Sequence, residues 1–434
     1  MSELRVVLIG AGSTSFGPCS VNALLAAREL HEVARTTLVL VDTDEAALGR
    51  MLTYAHAVRE FRGCKVAIEG TTDRTEALPG ADFAVTAVSV GRFEYWRQDF
   101  SIPPAFGFQH VAGECGGPGA AFHTLRSLNL VVPIARDMER LCPDAWLLNF
   151  SNPENRVCLG VTRLTGVRAI GLCHGFHSTY AAVARLLDRP VETMEINIGG
   201  INHFHFVLSV RDRASGEDLL PALHGALAED AGGLEPLTRH LYDTFGALPF
   251  PSDSHIAEFV HFGYDFVGPH FLSYERRYQA SHGPNSLRAE KLAAIIEGRA
   301  PVTEEMAAPG RELVGPIIVD AVLDRGAREE SVNVPNAGRA VANLPEEAIV
   351  EVPVTVDASG AQPVPVGALP EGLAALCRQQ LAIQELLVRA YAEGSREALL
   401  QALLLEPVIN DAGRAEQMME ELLVRQADVL PEMR

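Results

Sequence analysis

The chain opens on an apolar segment that runs directly into two closely spaced glycines. Residues 4–9 are predicted to form a β-strand, Gly10, Gly12 and Ser13 a tight turn, and residues 21–28 a helix. Glycine suits such a turn because the backbone bends sharply and leaves room for a ligand at the helix N-terminus. This order of strand, glycine turn and helix constrains the fold most strongly, since it is typical of the first unit of a nucleotide-binding α/β domain.

The alternation of strands and helices continues through the first third of the chain. Apolar runs alternate with helical patterns at residues 37–42, 44–58, 83–90, 124–141 and 145–150. This alternation predicts a parallel, doubly wound sheet. A chain of 434 residues also exceeds what one hydrophobic core usually supports. We therefore predict an α/β fold, with an N-terminal Rossmann-type domain over residues 1–152.

After residue 152 the pattern becomes mixed. Strand-like segments occur at residues 194–198, 205–210 and 346–356, and amphipathic helices follow residue 370. No internal repeat or low-complexity linker separates the two halves. We predict an α+β domain over residues 153–434 that packs closely against the first domain.

Charge and cysteine content exclude several classes of protein. The 36 basic and 56 acidic residues give a net charge of −20, which repels nucleic acids and anionic membranes. No apolar stretch approaches the roughly 20 residues of a membrane helix, and the N-terminus lacks the features of a signal peptide. The seven cysteines are scattered without a CxxC pair, which favours reduced thiols. We expect a cytoplasmic protein with no nucleic-acid or membrane partner.

The first candidate site is the glycine turn. Asp42 ends the second predicted strand, where an acid binds the ribose hydroxyls of NAD and disfavours NADP. Val88, in the next apolar run, is a further predicted cofactor contact. Ser15 stands where the third glycine of the usual fingerprint would be. A purely structural turn beside a surface acid is the weaker alternative.

A second candidate site combines a cysteine and a histidine from separate segments. Cys173 closes an apolar run, and His203 follows a strand-like segment about thirty residues later. A thiolate and an imidazole delivered from strand ends could bind Mn, Co, Ni or Zn. Spacing alone leaves two alternatives open, namely buried packing residues and a catalytic Cys-His pair.

Two acidic residues are also candidates. Glu114 lies in a glycine-rich loop before a helix, where it could be a general acid or only a charge favoured by the helix dipole. Asp253 lies at a predicted helix start, where it is an ordinary N-cap candidate. The residues alone favour the structural interpretation of both.

Taken together, these segments resemble glycoside hydrolase family 4, whose members are NAD- and metal-dependent glycosidases. The resemblance spans almost the whole chain and depends on the order of the matching segments. They are GAGS at residues 10–13, ECGGPG at 114–119, NP at 152–153, CHG at 173–175, GINH at 200–203, SDSH at 252–255, and segments at 331–338, 343–345 and 350–353.

The resemblance implies a mechanism in which NAD oxidises the sugar at C3 and the metal polarises the resulting ketone. A base then removes the acidified C2 proton, the glycosidic oxygen leaves, water adds, and C3 is reduced again. Members of this family commonly assemble as homodimers or homotetramers. The expected metal is a divalent ion, and Mn²⁺ is the first candidate.

The resemblance also implies roles for individual residues. Cys173 and His203 match the metal ligands. Asp253 matches the base, which is Asp in some members and Tyr in others, and Glu114 matches a proposed acid. The substrate contacts are expected from Asn152, His174 and Asn202, and His174 is also a candidate acid. Gly113 and Cys115 stand where the family usually has Gln and Thr.

The segment after the metal cysteine bears on the substrate. The pair Cys173–His174 resembles the subgroup that acts on non-phosphorylated sugars, and Gly175 is similar to members that act on α-glucuronides or related uronides. A neutral α-glucosidase or α-galactosidase with the same mechanism is the alternative. A carboxylate-bearing sugar would need a basic partner. The candidates are Arg92, Arg97, Arg276 and Arg277.

Two other classes of protein share part of this pattern. An NAD-dependent dehydrogenase of the 2-hydroxy-acid type would share the Rossmann half, but it would leave Cys173 without a role. In a catalytically inactive NAD-binding protein, the polar residues that come from four separate segments would have no role.

Overall fold

The computed structural model describes residues 2–229, 233–283, 285–311 and 313–434. The strands are β1 (Ser2–Ile9), β2 (Ala34–Val41), β3 (Ala67–Thr71), β4 (Phe83–Thr86), β5 (Trp146–Asn149), β6 (Arg168–Gly171), β7 (Met194–Ile201), β8 (Phe204–Asp212), β9 (Ala327–Pro335), β10 (Ile349–Asp357) and β11 (Gly360–Pro363).

The α-helices are α1 (Phe16–Ala26), α2 (Arg28–Val33), α3 (Glu45–Arg62), α4 (Arg74–Ala77), α5 (Arg92–Ala105), α6 (Pro118–Leu141), α7 (Glu154–Leu164), α8 (Phe176–Leu187), α9 (Leu220–Glu229), α10 (Pro236–Phe245), α11 (Asp253–Ile256), α12 (Gly263–Val267), α13 (His270–His282), α14 (Leu287–Ile296), α15 (Glu304–Ala307), α16 (Val314–Val322), α17 (Glu371–Glu393), α18 (Arg396–Leu405) and α19 (Ala412–Arg425). No helix within the described ranges is both long and apolar enough to cross a membrane.

One large sheet organises the described chain. Its strands run in the order β11-β10-β9-β6-β5-β4-β1-β2-β3, and those from β3 to β6 are parallel. The parallel part has the strand order 3-2-1-4-5-6 of a dinucleotide-binding fold. The prediction of an α/β fold with a Rossmann-type sheet is confirmed.

The second half of the chain continues this sheet. β9 pairs antiparallel with β6 through Asn333 opposite Gly171, and β10 and β11 follow antiparallel. β9 thereby covers an edge that would otherwise expose unpaired backbone groups. The predicted boundary after residue 152 lies between β5 and β6, inside the parallel sheet, so the two predicted domains share one sheet.

The core spans both halves as well. Leu8 and Leu148 of the parallel strands belong to the same buried cluster as Val332, Val350 and Leu373 from the second half. α17 packs against α6 and α7, which returns the end of the chain to the first sheet. The hairpin of β7 and β8 forms a second, two-stranded sheet.

The carboxyl ends of the parallel strands meet at one edge, where ligands bind in folds of this type. β1 ends there at Ile9, β2 at Val41 and β6 at Gly171. Gly10 follows β1 with a φ of +84°, and a Cβ at this position would lie 2.5 Å from the carbonyl oxygen of Ala87. Only glycine fits this turn without displacing the neighbouring strand end.

Candidate active site

Two adjoining cavities open at this edge of the sheet. The larger, of about 1000 Å³, contains every predicted cofactor residue in its lining, namely Gly10, Gly12, Ser13, Asp42 and Val88. The smaller, of about 430 Å³, is lined by other predicted residues, namely Glu114, Asn152, Cys173, His174 and His203. Ser13 and Val88 line both cavities, so a ligand in one can contact a ligand in the other.

The larger cavity is built around the glycine turn. The amide of Gly12 donates to Asp42 Oδ2 at 2.8 Å, and the amide of Asp44 donates to Asp42 Oδ1 at 3.0 Å. These bonds fix the carboxylate at the end of β2. The hydroxyl of Ser13 accepts from the amide of Phe16 at 3.2 Å, at the start of α1. A helix N-terminus beside a glycine turn suits a pyrophosphate group.

Cys173 and His203 come together from two different elements. Cys173 follows β6, and His203 lies in the turn between β7 and β8. The thiol Sγ and the imidazole Nε2 are 3.5 Å apart. His203 has a φ of +67°, a left-handed conformation that is strained for a non-glycine residue and clusters at functional sites.

The geometry of this pair fits a shared metal ion. Bond lengths of about 2.3 Å to sulfur and about 2.1 Å to nitrogen would separate two ligands of one ion by roughly 3 to 3.6 Å. No group of three or more His, Cys, Asp or Glu side chains forms a metal cluster within the described ranges. The remaining coordination positions would therefore fall to substrate or water, as in a catalytic metal site.

The surroundings hold both ligands in their neutral forms when no cation is nearby. Burial raises the pKa of the Cys173 thiol well above its ordinary range, and burial lowers the pKa of His203 to about 4. A side-chain contact from Asn202, which is itself buried, opposes the effect on Cys173 by favouring the thiolate. Metal binding requires that thiolate and releases a proton.

Glu114 also lines the smaller cavity. Its Oε1 accepts from Asn152 Nδ2 at 3.3 Å and lies 3.9 Å from a guanidinium nitrogen of Arg92. Burial raises the pKa of Glu114, and the Arg92 charge and the Asn152 amide partly oppose that shift. A carboxyl whose pKa is raised holds its proton more firmly, which suits it to donate that proton to a leaving group.

The remaining predicted substrate contacts lie at different depths. His174 lines the smaller cavity with an exposed side chain, and its ring lies 6.4 Å from the ring of Phe16. Asn202 is buried beside the metal pair and is not among the lining residues, and its backbone amide donates to Asn155 Oδ1 at 3.1 Å.

Asp253 does not face either cavity. Its carboxylate accepts from the backbone amides of Leu237 and Thr238, both at 2.7 Å, and from the Thr238 hydroxyl at 2.8 Å. These donors belong to the first turn of α10, so Asp253 supplies acceptors that this helix start lacks. Its oxygens are therefore engaged at α10 and not in the cavity, and this geometry gives no support to the role of base that the resemblance implies for Asp253.

Several side chains that line the smaller cavity were not among the predicted catalytic residues, and three of them bear on the chemistry. They are Arg92, Tyr274 and His255. Arg92 donates to the Tyr274 hydroxyl at 3.0 Å and lies 4.6 Å from the ring centre of Tyr278. Among the arginines considered for a carboxylate substrate, Arg92 lines the cavity, whereas Arg97 forms an exposed ion pair with Glu275.

His255 lies directly against the metal pair. Its ring centre is 4.8 Å from that of His203, and its Nδ1 is 2.7 Å from the Ser252 hydroxyl. The SDSH segment carried the signal for this residue, since His255 lies two positions after Asp253. Tyr274 and Arg92 have no comparable local signal. Tyr274 lies within α13 and Arg92 at the start of α5, and neither helix carries a sequence motif at that position.

Comparisons with known proteins agree with this architecture. The model of the family 4 glycosyl hydrolases matches residues 5–189, and the model of their C-terminal domain matches residues 198–409. The chain is 29% identical to an alpha-glucosidase of Erwinia rhapontici, over 97% of this chain and 98% of the relative. It is 27% identical to an alpha-galacturonidase of Bacillus subtilis, over 98% of this chain and 97% of the relative.

A solved structure shares the fold over its whole length. A 6-phospho-alpha-glucosidase from gut microorganisms, in complex with NAD and Mn²⁺, superposes with a TM-score of 0.82. Its sequence is 24% identical, and the match covers 100% of both chains. The two family models follow one another in the expected order and together span most of the sequence. The chain therefore belongs to family 4 of the glycosyl hydrolases, enzymes that act on glycosyl bonds.

Proposed function

We propose that this chain is an NAD- and Mn²⁺-dependent glycosidase that acts on a non-phosphorylated sugar, with a uronide as its substrate. The observation that carries the proposal is the Cys173–His203 pair, whose atoms are 3.5 Å apart in a cavity that adjoins the nucleotide cavity. The similar 6-phospho-alpha-glucosidase, solved with NAD and Mn²⁺, supports the same two cofactors.

The chain's own residues divide the work between binding and proton transfer. With both cofactors bound, the chemistry supplied is reversible oxidation at C3 and polarisation of the carbonyl, which acidifies the C2 proton. Cys173 and His203 would hold the ion. Glu114 holds a proton for the departing glycosidic oxygen, and Asn152 orients the Glu114 carboxyl through their 3.3 Å contact. His174 lines the cavity and would contact the sugar, whereas the buried Asn202 side chain supports Cys173.

We assign the base to Tyr274. Its phenol lies in the cavity and accepts from Arg92 at 3.0 Å, a contact that favours the phenolate. Burial and Glu114 raise the pKa of Tyr274 to about 12, so the phenol is protonated near neutral pH and acts as a base only where nearby positive charge, such as that of Arg92, favours the phenolate. Tyr274 replaces Asp253 in this role because the Asp253 carboxylate is bonded to the start of α10.

Arg92 supports a carboxylate-bearing sugar. It is a half-buried cation on the cavity wall, and its guanidinium lies 3.9 Å from the Glu114 carboxyl. A substrate carboxylate could form a charge-assisted bond there that a neutral sugar would lack. The identity to an alpha-galacturonidase is similar to the identity to an alpha-glucosidase, so a neutral α-glucoside or α-galactoside is the second candidate.

A panel of nitrophenyl glycosides and uronides, assayed with NAD, Mn²⁺ and a thiol reductant, tests the function. We expect release of nitrophenol with substoichiometric NAD and no accumulation of NADH. A C2-deuterated substrate should lose its label to solvent, because elimination removes that hydrogen. Net NADH formation would indicate a dehydrogenase, and no release across the panel would indicate an inactive NAD-binding protein.

Substitution of Arg92 tests the substrate class. Arg92→Met should raise KM for a uronide by about tenfold or more, because the variant loses a charge-assisted hydrogen bond to the substrate carboxylate. KM for the matching neutral glycoside should change by less than about twofold. Arg97→Met is the matched control, since Arg97 pairs with Glu275 at the surface. An equal change for both substrates would contradict the uronide assignment.

The proposed assembly is a homodimer or homotetramer, as the family resemblance implies. Light scattering on the purified protein measures the mass directly against the 46.8 kDa of one chain.

A further inference from the structure

Glu258 is a buried carboxyl for which the proposed reaction has no role. It lies after α11, on the segment that also carries His255, and it is 8% exposed. Its Oε1 accepts from the backbone amide of Glu114 at 2.8 Å, and its Oε2 accepts from the backbone amide of Cys115 at 3.0 Å. One side chain thus bridges two successive amides of the loop that holds the proposed acid.

The loop is fitted closely to this segment. A Cβ on Gly116 would lie 2.4 Å from the carbonyl oxygen of Glu258, so the two backbones touch. Burying a carboxyl is unfavourable, and burial together with the neighbouring Glu114 raises the pKa of Glu258 to about 8. A hydrophobic residue could fill the same space but could not satisfy the two amides.

The bridge connects two walls of the smaller cavity. On one wall, His255 lies against His203, with 4.8 Å between ring centres. On the other wall, Glu114 faces Asn152 and Arg92. Glu258 belongs to the first segment and bonds to the backbone of the second, so it ties the Glu114 loop to the segment that packs against His203.

A second buried carboxyl holds the same loop from another direction. Glu406 accepts from the amide of Gly117 at 3.0 Å and lies 3.5 Å from Arg156 Nη2. It approaches from the C-terminal helices and bonds three residues after Glu114. Glu406 therefore provides a matched comparison, a buried carboxyl on the same loop that does not bond to Glu114.

We propose that Glu258 is a positioning residue, which fixes the backbone at Glu114 and so aims the Glu114 carboxyl at the departing glycosidic oxygen. The proposal rests on the proposed role of Glu114 as the acid. Removing the bridge should impair leaving-group protonation in particular, because a small misplacement of a catalytic group is costly.

The dependence on leaving group tests this proposal. A nitrophenol departs readily without a proton, whereas an alkyl alcohol needs one. Glu258→Gln should lower kcat on an alkyl glycoside by about 10- to 100-fold and kcat on the nitrophenyl glycoside by less than about threefold. Glu114→Gln should show the same selective loss. Glu406→Gln should lower both rates by one common factor, since it disturbs the loop without releasing Glu114.

Amide hydrogen exchange at single-residue resolution tests the bridge without activity. Glu258→Gln should speed exchange at Glu114 and Cys115 by tenfold or more and leave Gly117 unchanged, and Glu406→Gln should do the reverse. Glu258→Asp, which keeps the charge on a shorter stem, replaces the Gln variant if that variant does not fold. It should show the same selective loss with a smaller magnitude.

Two results would overturn the proposal. One is a Glu258→Gln variant that loses the same factor on both leaving groups, which would reduce Glu258 to a stabilising residue. The other is unchanged exchange at Glu114 and Cys115. If the unaltered protein releases sugar from no glycoside, the proposed function fails instead, and the exchange rates alone then decide whether Glu258 holds the loop.

Discussion

At the scale of single residues, the proposed metal site depends on Cys173 and His203. The two atoms are 3.5 Å apart in a cavity, and the His203 backbone has a φ of +67°. A strained backbone conformation of this kind costs roughly 1 to 3 kcal/mol and persists where the surrounding structure enforces it. The hairpin of β7 and β8 therefore holds the imidazole in place against its local preference.

Replacing the thiol should remove the metal. Cys173→Ser should weaken Mn²⁺ binding by more than about tenfold, because a serine hydroxyl does not ionise as a thiol does. Mutation of residues that only orient a metal ligand already costs about tenfold in affinity, so loss of a ligand should cost more. Electron paramagnetic resonance of free and bound Mn²⁺ measures the affinity directly. Cys64→Ser is the control, since Cys64 lies half-buried beside Arg59 and lines neither cavity. Equal affinities in the two variants would contradict the assignment.

The residues that could be predicted from sequence are those whose role depends on local backbone structure. Gly10, Gly12 and Asp42 follow from one strand, one turn and the next strand, and all three line the larger cavity. Asp253 could not be assigned in this way, because its carboxylate is directed by α10, which precedes it in the chain. Tyr274 reaches the cavity only through the tertiary packing of α13, which no local pattern encodes.

At the scale of elements, the turn between β1 and α1 admits little change. The Gly10 backbone has a φ of +84°, and an added Cβ would meet the carbonyl of Ala87 at the end of β4. Gly49 offers a contrast within α3, because it is exposed and a Cβ there would have open space. The two glycines therefore differ in what a methyl group would meet.

Alanine substitutions should separate these two glycines. Gly10→Ala should abolish measurable NAD binding and lower the thermal midpoint, since the turn must shift away from β4. Gly49→Ala should raise the free energy of unfolding by about 0.5 to 1 kcal/mol, the usual gain in a helix interior. Calorimetry and NAD titration check both. A Gly10→Ala variant that binds NAD normally would show that the turn relaxes at little cost.

The junction of α16 and β9 predicts a pH dependence of stability. Burial, together with Asp320 on α16, raises the pKa of Glu329 to about 8. A carboxyl with a raised pKa in the folded state stabilises the fold when protonated, so this contribution is present below about pH 4.3 and is lost as pH rises towards 8.

Glu329→Gln should remove that dependence. The variant should lose less stability than the unaltered protein between pH 5 and pH 8.5, as measured by thermal midpoints across that range. Glu346→Gln changes an exposed carboxylate paired with Arg339, so it should leave the slope unaltered. Parallel curves for the Glu329 variant and the unaltered protein would refute the assigned cause.

The elements that the sequence predicted have strong apolar patterns. β1, β2 and β5 are buried along most of their length, and their apolar runs stand out in the chain. β3 was missed because it is a largely exposed edge strand that reads Ala-Ile-Glu-Gly-Thr. The return of β9 to the edge of β6 was also missed, since that pairing joins residues far apart in the sequence.

At the scale of the whole molecule, one sheet and one core join the predicted domains. The antiparallel strands β9 to β11 extend the parallel sheet, and the largest buried cluster includes both Leu8 and Leu373. The ion pair between Arg156 and Glu406 is fully buried and ties α7 to the end of α18. Each half, taken alone, would expose apolar residues that the other half covers in this core.

The whole chain should therefore unfold as one cooperative unit. Calorimetry should give a single unfolding transition. NAD at a hundredfold excess over its Kd should add about 2.7 kcal/mol to the free energy of unfolding and move this whole transition to higher temperature. A fragment of residues 1–152 should neither fold nor bind NAD, because it lacks β6 and the strands beyond. Two resolved transitions, with only one shifted by NAD, would favour separate domains.

The shared wall between the two cavities has a consequence for how long the nucleotide stays. An ordinary dehydrogenase must release its altered nucleotide after every turnover, which limits how tightly it can bind. In the proposed cycle the nucleotide finishes each round as it began, beside a sugar chamber that shares Ser13 and Val88 with its own. Nothing in the reaction limits its residence time, so the protein can retain NAD through many turnovers, as a prosthetic group is retained.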